Sequence, residues 1–325
     1  MKFIILLCIA VVGIAAYVYA ASTPQQLFIM VDMEGASEIT VAKSDFLTHG
    51  SKGWRDYGRD IITSDVKAVC DAAEKFGIDE ILIYDMHFAG NPEPNIKLED
   101  LPKNVKLVDV PDRRMDMRRI RGQVQTEPFG MIFVGQHARA ETSNSFFPHS
   151  IQPKWKDLRI NGFSIAETGY VAFNFPEVKL LAVVGDAAAM PEAKELYPAV
   201  LEIPVKDRIK NWVPTHTETY SIIKQKVFEA LKNRDSMQSL QDTILKTSSG
   251  TFNFSLALQP GYYFEIPQQI SWKGNFTRDL ATWEAPSPEI GLEILWAVNA
   301  HVKNKKALRR DDSHRLKDKR GAKSS

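Results

Sequence analysis

Four apolar runs in this chain end on a carboxylate or an imidazole: LFIMVDMEG, EILIYDMH, GMIFVGQH and KLLAVVGD. Near-continuous apolar runs of this length suit strands buried on both faces, as in a parallel sheet, better than the alternating strands of a half-solvated one. If the four runs are neighbours, their carboxyl ends gather Asp32, Glu34, Asp85, His87, His137 and Asp186 along one edge. Open α/β sheets bind ligands at that edge. A mixture of acids and imidazoles there suits a divalent metal better than a nucleotide.

The rest of the pattern agrees with that fold class. The spacing predicts strands at 26–33, 80–85, 105–108, 130–135 and 179–184, with a helix over 63–77 whose Val66, Val69, Cys70, Ala73 and Phe76 share a face. Gly77 suits the helix stop. Asn161-Gly162 between short apolar arms predicts a hairpin, and a helix follows over 168–175. Another helix begins after Asp186, with Pro191 tolerated in its first turn. Further on, 224–233 reads as a solvent-facing helix, 251–257 and 262–266 as strands around Pro260-Gly261, and 286–302 as a last helix. The expected fold is α/β, a mostly parallel sheet with flanking helices plus a smaller α+β C-terminal domain. Its expected divisions are 1–20, 21–205, 206–302 and a charged tail at 303–325.

Residues 3–20 form an almost unbroken apolar run after Lys2, and Val18-Tyr19-Ala20 offers the small-x-small pattern of a signal-peptidase site. The expectation is export to a periplasmic or extracellular space with cleavage before Ala21. The alternative is an uncleaved anchor, the one segment through which this chain would touch a membrane. Beyond the leader one cysteine remains, Cys70, so no internal disulfide can form in the mature chain. Lys and Arg total 41 against 40 Asp and Glu, a balance that gives no sign of a nucleic-acid partner. The alternating charges at 112–119 read as a solvated loop or subunit contact, and the tail from Lys303 as disordered.

Asp32 and Glu34 lie two apart and share a face of an extended segment. Two close carboxylates repel when both are ionised, and a cation between them removes the conflict. His87 is either a ligand or a structural histidine bonded to Asp85, and a ligand histidine often donates its other ring proton to a carboxylate. His137 ends its strand behind Gly135. Glu167, taken alone, reads as a surface residue. Together, two histidines and three carboxylates suffice for two adjacent ions with one carboxylate bridging. His149 sits in a loop and could reach over the sheet edge to move a proton, since its ordinary pKa lies near neutrality. His49, His216, His301 and His314 are weaker candidates, with His49 read as surface and His216 near a helix cap. The dinucleotide and P-loop glycine patterns, G-x-S-x-G and H-E-x-x-H do not occur at the places where they would carry chemistry.

With these positions in view, VDMEG at 31–35, YDMH at 84–87, GQHARA at 135–140, PHS at 148–150 and NGFSIAE at 161–167 resemble the D-aminopeptidase family of zinc metallopeptidases, peptidase family M55. The resemblance spans about residues 26–200. It implies an α/β domain holding two zinc ions on Asp32, Glu34, His87, His137 and Glu167, with His149 at the catalytic position. It also implies removal of N-terminal residues from short peptides, with D-alanine favoured, and a homo-oligomer of ten subunits. This chain departs from the family in its leader, in the bulky Phe146-Phe147 and in the stretch 210–216. The rival readings are another two-metal hydrolase, such as a phosphoesterase, and an exported metal- or peptide-binding protein without turnover.

Overall fold

The computed structural model describes residues 24–87, 91–111, 116–165, 169–170, 173–245, 250–265 and 272–305. The leader at 1–20, most of the charged tail and Glu167 lie outside the described residues, as do four residues of the charged loop.

The strands are β1 (Gln26–Val31), β2 (Glu80–Asp85), β3 (Val105–Leu107), β4 (Gly130–Gln136), β5 (Trp155–Ile160), β6 (Phe163–Ser164), β7 (Leu180–Asp186), β8 (Leu201–Lys206), β9 (Phe252–Leu258), β10 (Tyr262–Phe264), β11 (Gly274–Phe276), β12 (Leu280–Ala285) and β13 (Val302–Asn304). Among the described residues the complete α-helices are α1 (Arg59–Phe76), α2 (Met117–Arg121), α3 (Met190–Leu196), α4 (His216–Lys232) and α5 (Pro288–Ala300), and most of the helix expected from 168 lies next to or within undescribed residues. Six strands form an all-parallel sheet in the order β3-β2-β1-β4-β7-β8. Each anticipated strand of that sheet is present within two residues of its expected ends. β8 was not anticipated. Pro204 interrupts its apolar pattern, but β8 is an edge strand, where a proline need not break a ladder.

The register brings the strand ends level. Val31 lies beside both Asp85 and Val134, and Val134 beside Val184. The strand order reverses between β1 and β4, the switch point at which such sheets open a crevice.

The central strands are buried along their whole length, so successive side chains feed two cores. Leu27, Ile29 and Val31 face the layer formed by α1 and α4. Phe28 and Met30 face a layer built from α3, α5 and the second sheet, β11-β12-β9-β5-β6. Burial of each such side chain contributes roughly 1.5–3 kcal/mol. Helix α1 stops at Gly77, at φ +105°, whose N–H bonds to the Ala73 and Glu74 carbonyls. Helix α4 starts in a capping box, Thr215 with Glu218, and runs from 216, earlier than the apolar pattern implied. The Asn161-Gly162 turn joins β5 to β6, with both residues at positive φ, as the hairpin expectation required. Residues on either side of position 205 share layers: β5 pairs with β9, and α4 packs on α1.

Two glycines let β1 and β4 close at the sheet edge. Gly135 sits at φ +76°, and a Cβ there would lie 1.9 Å from the Asp32 carbonyl oxygen. A Cβ on Gly35 would lie 1.9 Å from the Gln136 carbonyl oxygen. Gly135→Ala combines left-handed backbone with a backbone clash and is expected to cost about 3 kcal/mol or more. Urea melts would show it, and a melt equal to wild type would contradict this account of the crevice.

Candidate metal centre

The crevice holds four of the expected donors. Asp32 follows β1 and is tied to β4 by its N–H bond to the Val134 carbonyl at 2.9 Å. Its Oδ1 lies 3.2 Å from His87 Nδ1, and its Oδ2 lies 3.5 Å from His137 Nε2. Glu34 Oε2 lies 3.0 Å from the same His87 nitrogen. Ligand atoms of Asp32, Glu34 and His137 fall within 4.8 Å of one another. Asp32, His87 and His137 are buried, and Glu34 is nearly so.

Backbone carbonyls orient both imidazoles. His87 Nε2 is 2.9 Å from the Leu47 oxygen, and His137 Nδ1 is 2.8 Å from the Ala138 oxygen. A carbonyl only accepts, so those nitrogens carry protons, and the other nitrogen of each ring points at the carboxylates. This is the arrangement in which a metal-ligating histidine is held by an outer hydrogen bond. Burial alone would raise the Asp32 pKa, but the bonds from His137 and His87 hold it well below the usual carboxylate range. Burial likewise opposes a charge on His87, yet Glu34 and Asp32 raise its pKa well above the usual imidazole range. The pocket is therefore built around positive charge against two carboxylates, a donor set that fits zinc.

His149 joins this group from the loop. Its ring stacks on His137 with centroids 3.9 Å apart and planes 10° apart, and its Nε2 lies 3.9 Å from Glu34 Oε1. It is half-buried, so one side of the ring faces solvent. The remaining expected ligand, Glu167, lies outside the described residues.

The supporting acids act on loops. Asp85 accepts from the Asn95 N–H at 2.6 Å and its amide at 2.7 Å, and Asn95 also donates to the His87 carbonyl. Thus Asp85 fastens the segment after His87. Asp186 accepts from Ser145 Oγ at 2.8 Å and the Phe146 N–H at 2.9 Å, steadying the loop that leads to His149. His49, expected at the surface, packs on Trp54 with ring centroids 4.3 Å apart. His216 begins α4 as expected, and its N–H and Nδ1 both bond Glu38.

Sequence reasoning missed Lys206. Fully buried at the end of β8, its ammonium donates to the carbonyls of Glu34, Ala36 and Ile39 at 2.6, 2.8 and 2.6 Å. The Phe146 and Phe147 rings lie 5.3 and 5.9 Å from it. One cation thus ties the turn carrying Glu34 to the loop carrying His149. Burial draws its pKa down to about 7 against the pull of Asp186, Asp65 and Glu34. Its only signal in the sequence was a lysine ending an apolar run, the same signal that marked the acids.

Comparison with known proteins bears on this geometry. A family model described as D-aminopeptidase, peptidase M55, matches residues 26–253. A D-aminopeptidase of Bacillus subtilis strain 168 is 29% identical over 220 residues, covering 66% of this chain and 77% of that protein. A solved structure described as the Zn-dependent D-aminopeptidase DppA from Bacillus subtilis, a self-compartmentalizing protease, aligns with a TM-score of 0.68. It covers 85% of this chain and 97% of that one at 23% identity, a likeness of fold.

Proposed function

Because the chain belongs to the D-aminopeptidase family of peptidases, M55, we propose that it is a zinc-dependent aminopeptidase that hydrolyses the N-terminal amide bond of short peptides, including D-amino-acid peptides. The observation that carries this reading is the Asp32 carboxylate, one oxygen toward His87 and the other toward His137, with Glu34 alongside. Such a carboxylate can bridge two ions. Asp32, Glu34, His87 and His137 would hold the metal, and Glu167 would complete the five ligands that the resemblance implies for two zinc ions.

Zinc bound there supplies Lewis acidity toward the scissile carbonyl and acidifies a water. The chain's own residues do the rest. A peptide's free amine, in its neutral form, would bind at the same centre, which favours exposed N-termini. His149, stacked beside the centre and open on one side, passes a proton to the departing amine. His149→Ala is expected to retain its metal and to lose about 10²–10⁴-fold in kcat. Metal content and peptide cleavage measured on one sample check this, and full turnover would remove His149 from the mechanism. Release of alanine from short D- and L-peptides, assayed beside a phosphate ester, tests the reaction class.

Two further readings complete the proposal. The subunits assemble into a homo-oligomer, by analogy with the self-compartmentalizing relative, with ten copies as the expected number. Light scattering coupled to gel filtration measures it. The chain is exported to a periplasmic or extracellular space and cleaved before Ala21, and the mass of the mature protein tests that.

A further inference from the structure

A cavity of about 490 Å³ is lined among others by Val41, Lys43, Phe146, Arg208 and Val213. Two links join it to the centre. Glu38, also in its wall, lies four residues after Glu34, and Phe146 lies three before His149. Lys206 holds both segments, bonding the Glu34 carbonyl while the Phe146 ring stands 5.3 Å from its ammonium.

The charges of the wall are unequal in their commitments. Lys43 is offset by Glu38 at 3.3 Å. Glu38, at φ +57°, also binds the N–H and ring of His216. Asp207, which precedes Arg208 in the chain but does not line the cavity, turns to Lys210 and to the N–H groups of Ile209 and Lys210. Arg208 donates Nη1 to the Ser145 carbonyl at 2.7 Å and has no carboxylate partner among the described residues. A guanidinium carries five N–H donors in a planar fork matched to a carboxylate. One bond to Ser145 fixes its position and leaves the fork able to take a second group. Val41, Val213 and Phe146 supply apolar wall beside it, as a site for a small organic ligand needs.

We propose that this cavity receives the C-terminal end of the substrate, with Arg208 pairing the free α-carboxylate of a short peptide whose amino end lies at the donor cluster. The proposal rests on the aminopeptidase reading and deepens it by naming what limits substrate length. An extended peptide spans at most about 3.6 Å per residue. Only chains whose two ends fit both sites together gain the Arg208 contact.

The test uses the full chain with di-, tri- and tetrapeptides, each as free acid and as C-terminal amide. At one length the wild type should show a KM at least about tenfold lower for the acid, with similar kcat, as loss of a charge-assisted fork implies. R208Q should bring the acid-to-amide ratio of KM to about one, and R208K, which keeps charge but not the fork, should fall between. Equal KM for acid and amide at every length in the wild type, or an unchanged ratio in R208Q, overturns the proposal. Melting temperatures identify a variant that fails to fold, in which case R208K alone decides. If no peptide is cleaved, calorimetric binding of the same pairs separates the two claims. Arg208-dependent preference for the acid upholds the subsite while the aminopeptidase reading falls, and equal binding of acid and amide sinks both.

Discussion

Asp32→Asn is expected to strip the protein of bound metal and to lower kcat/KM on the order of 10³-fold or more, since even outer-shell changes at such centres cost roughly 10–100-fold. Asp32 turns its two oxygens to the buried rings of His87 and His137, at 3.2 Å and 3.5 Å. Asparagine keeps the shape but replaces one oxygen with an amide nitrogen that cannot ligate and presents its protons to one of the histidines. It also removes a buried negative charge from beside two groups oriented to meet a cation. The fold should survive, because the backbone bond from residue 32 to Val134 and the packing of β1 are untouched. Elemental analysis after growth with zinc, alongside a thermal melt, checks the result. A variant that keeps wild-type metal content and turnover would refute a ligand role for Asp32.

Lys206→Met should lower stability by about 3–5 kcal/mol and weaken metal retention as well. Methionine fills similar space, so the loss isolates the ammonium. Three carbonyls that now share one cation would be left in a fully buried site, and each unsatisfied acceptor costs about 1–3 kcal/mol before the turn relaxes. Relaxation moves Glu34, whose carbonyl is one of the three, and frees the Phe146–Phe147 loop that precedes His149. Some of the cost is recovered because burying an ammonium is itself unfavourable. Denaturant melts give the stability, and competition with a chelator gives metal retention. A variant of normal stability whose metal is held as tightly as in wild type would show that Lys206 is a passive occupant of its site.

Much of the fold was legible because parallel central strands are buried on both faces, and burial writes apolar runs directly into the sequence. The runs at 26–31, 80–85, 130–136 and 180–186 each end in the residues that form or brace the crevice. Asp32, Glu34, His87 and His137 were visible as polar groups placed where an apolar strand stops. Less was legible where pairing is remote. β5 lies beside β9, almost a hundred residues later, and β11 and β12 were not anticipated. Antiparallel edge strands such as β11 are short and partly exposed, so they carry little periodic signal. The partners of Asp85 and Asp186 needed coordinates too: Asn95 bonds the first, and Ser145, Phe146 and Ala188 bond the second.

Residue order alone determined the strand ends and the chemistry waiting there, because side-chain burial and the turn at each strand's end are local consequences of local composition. The focus of those groups belonged to the tertiary structure. Which oxygen meets which ring nitrogen, which carbonyl sets each tautomer, and which buried cation ties the turn after β1 to a loop over a hundred residues away depend on strand order and register. Those are settled by contacts between segments far apart in the chain, where no local pattern records them.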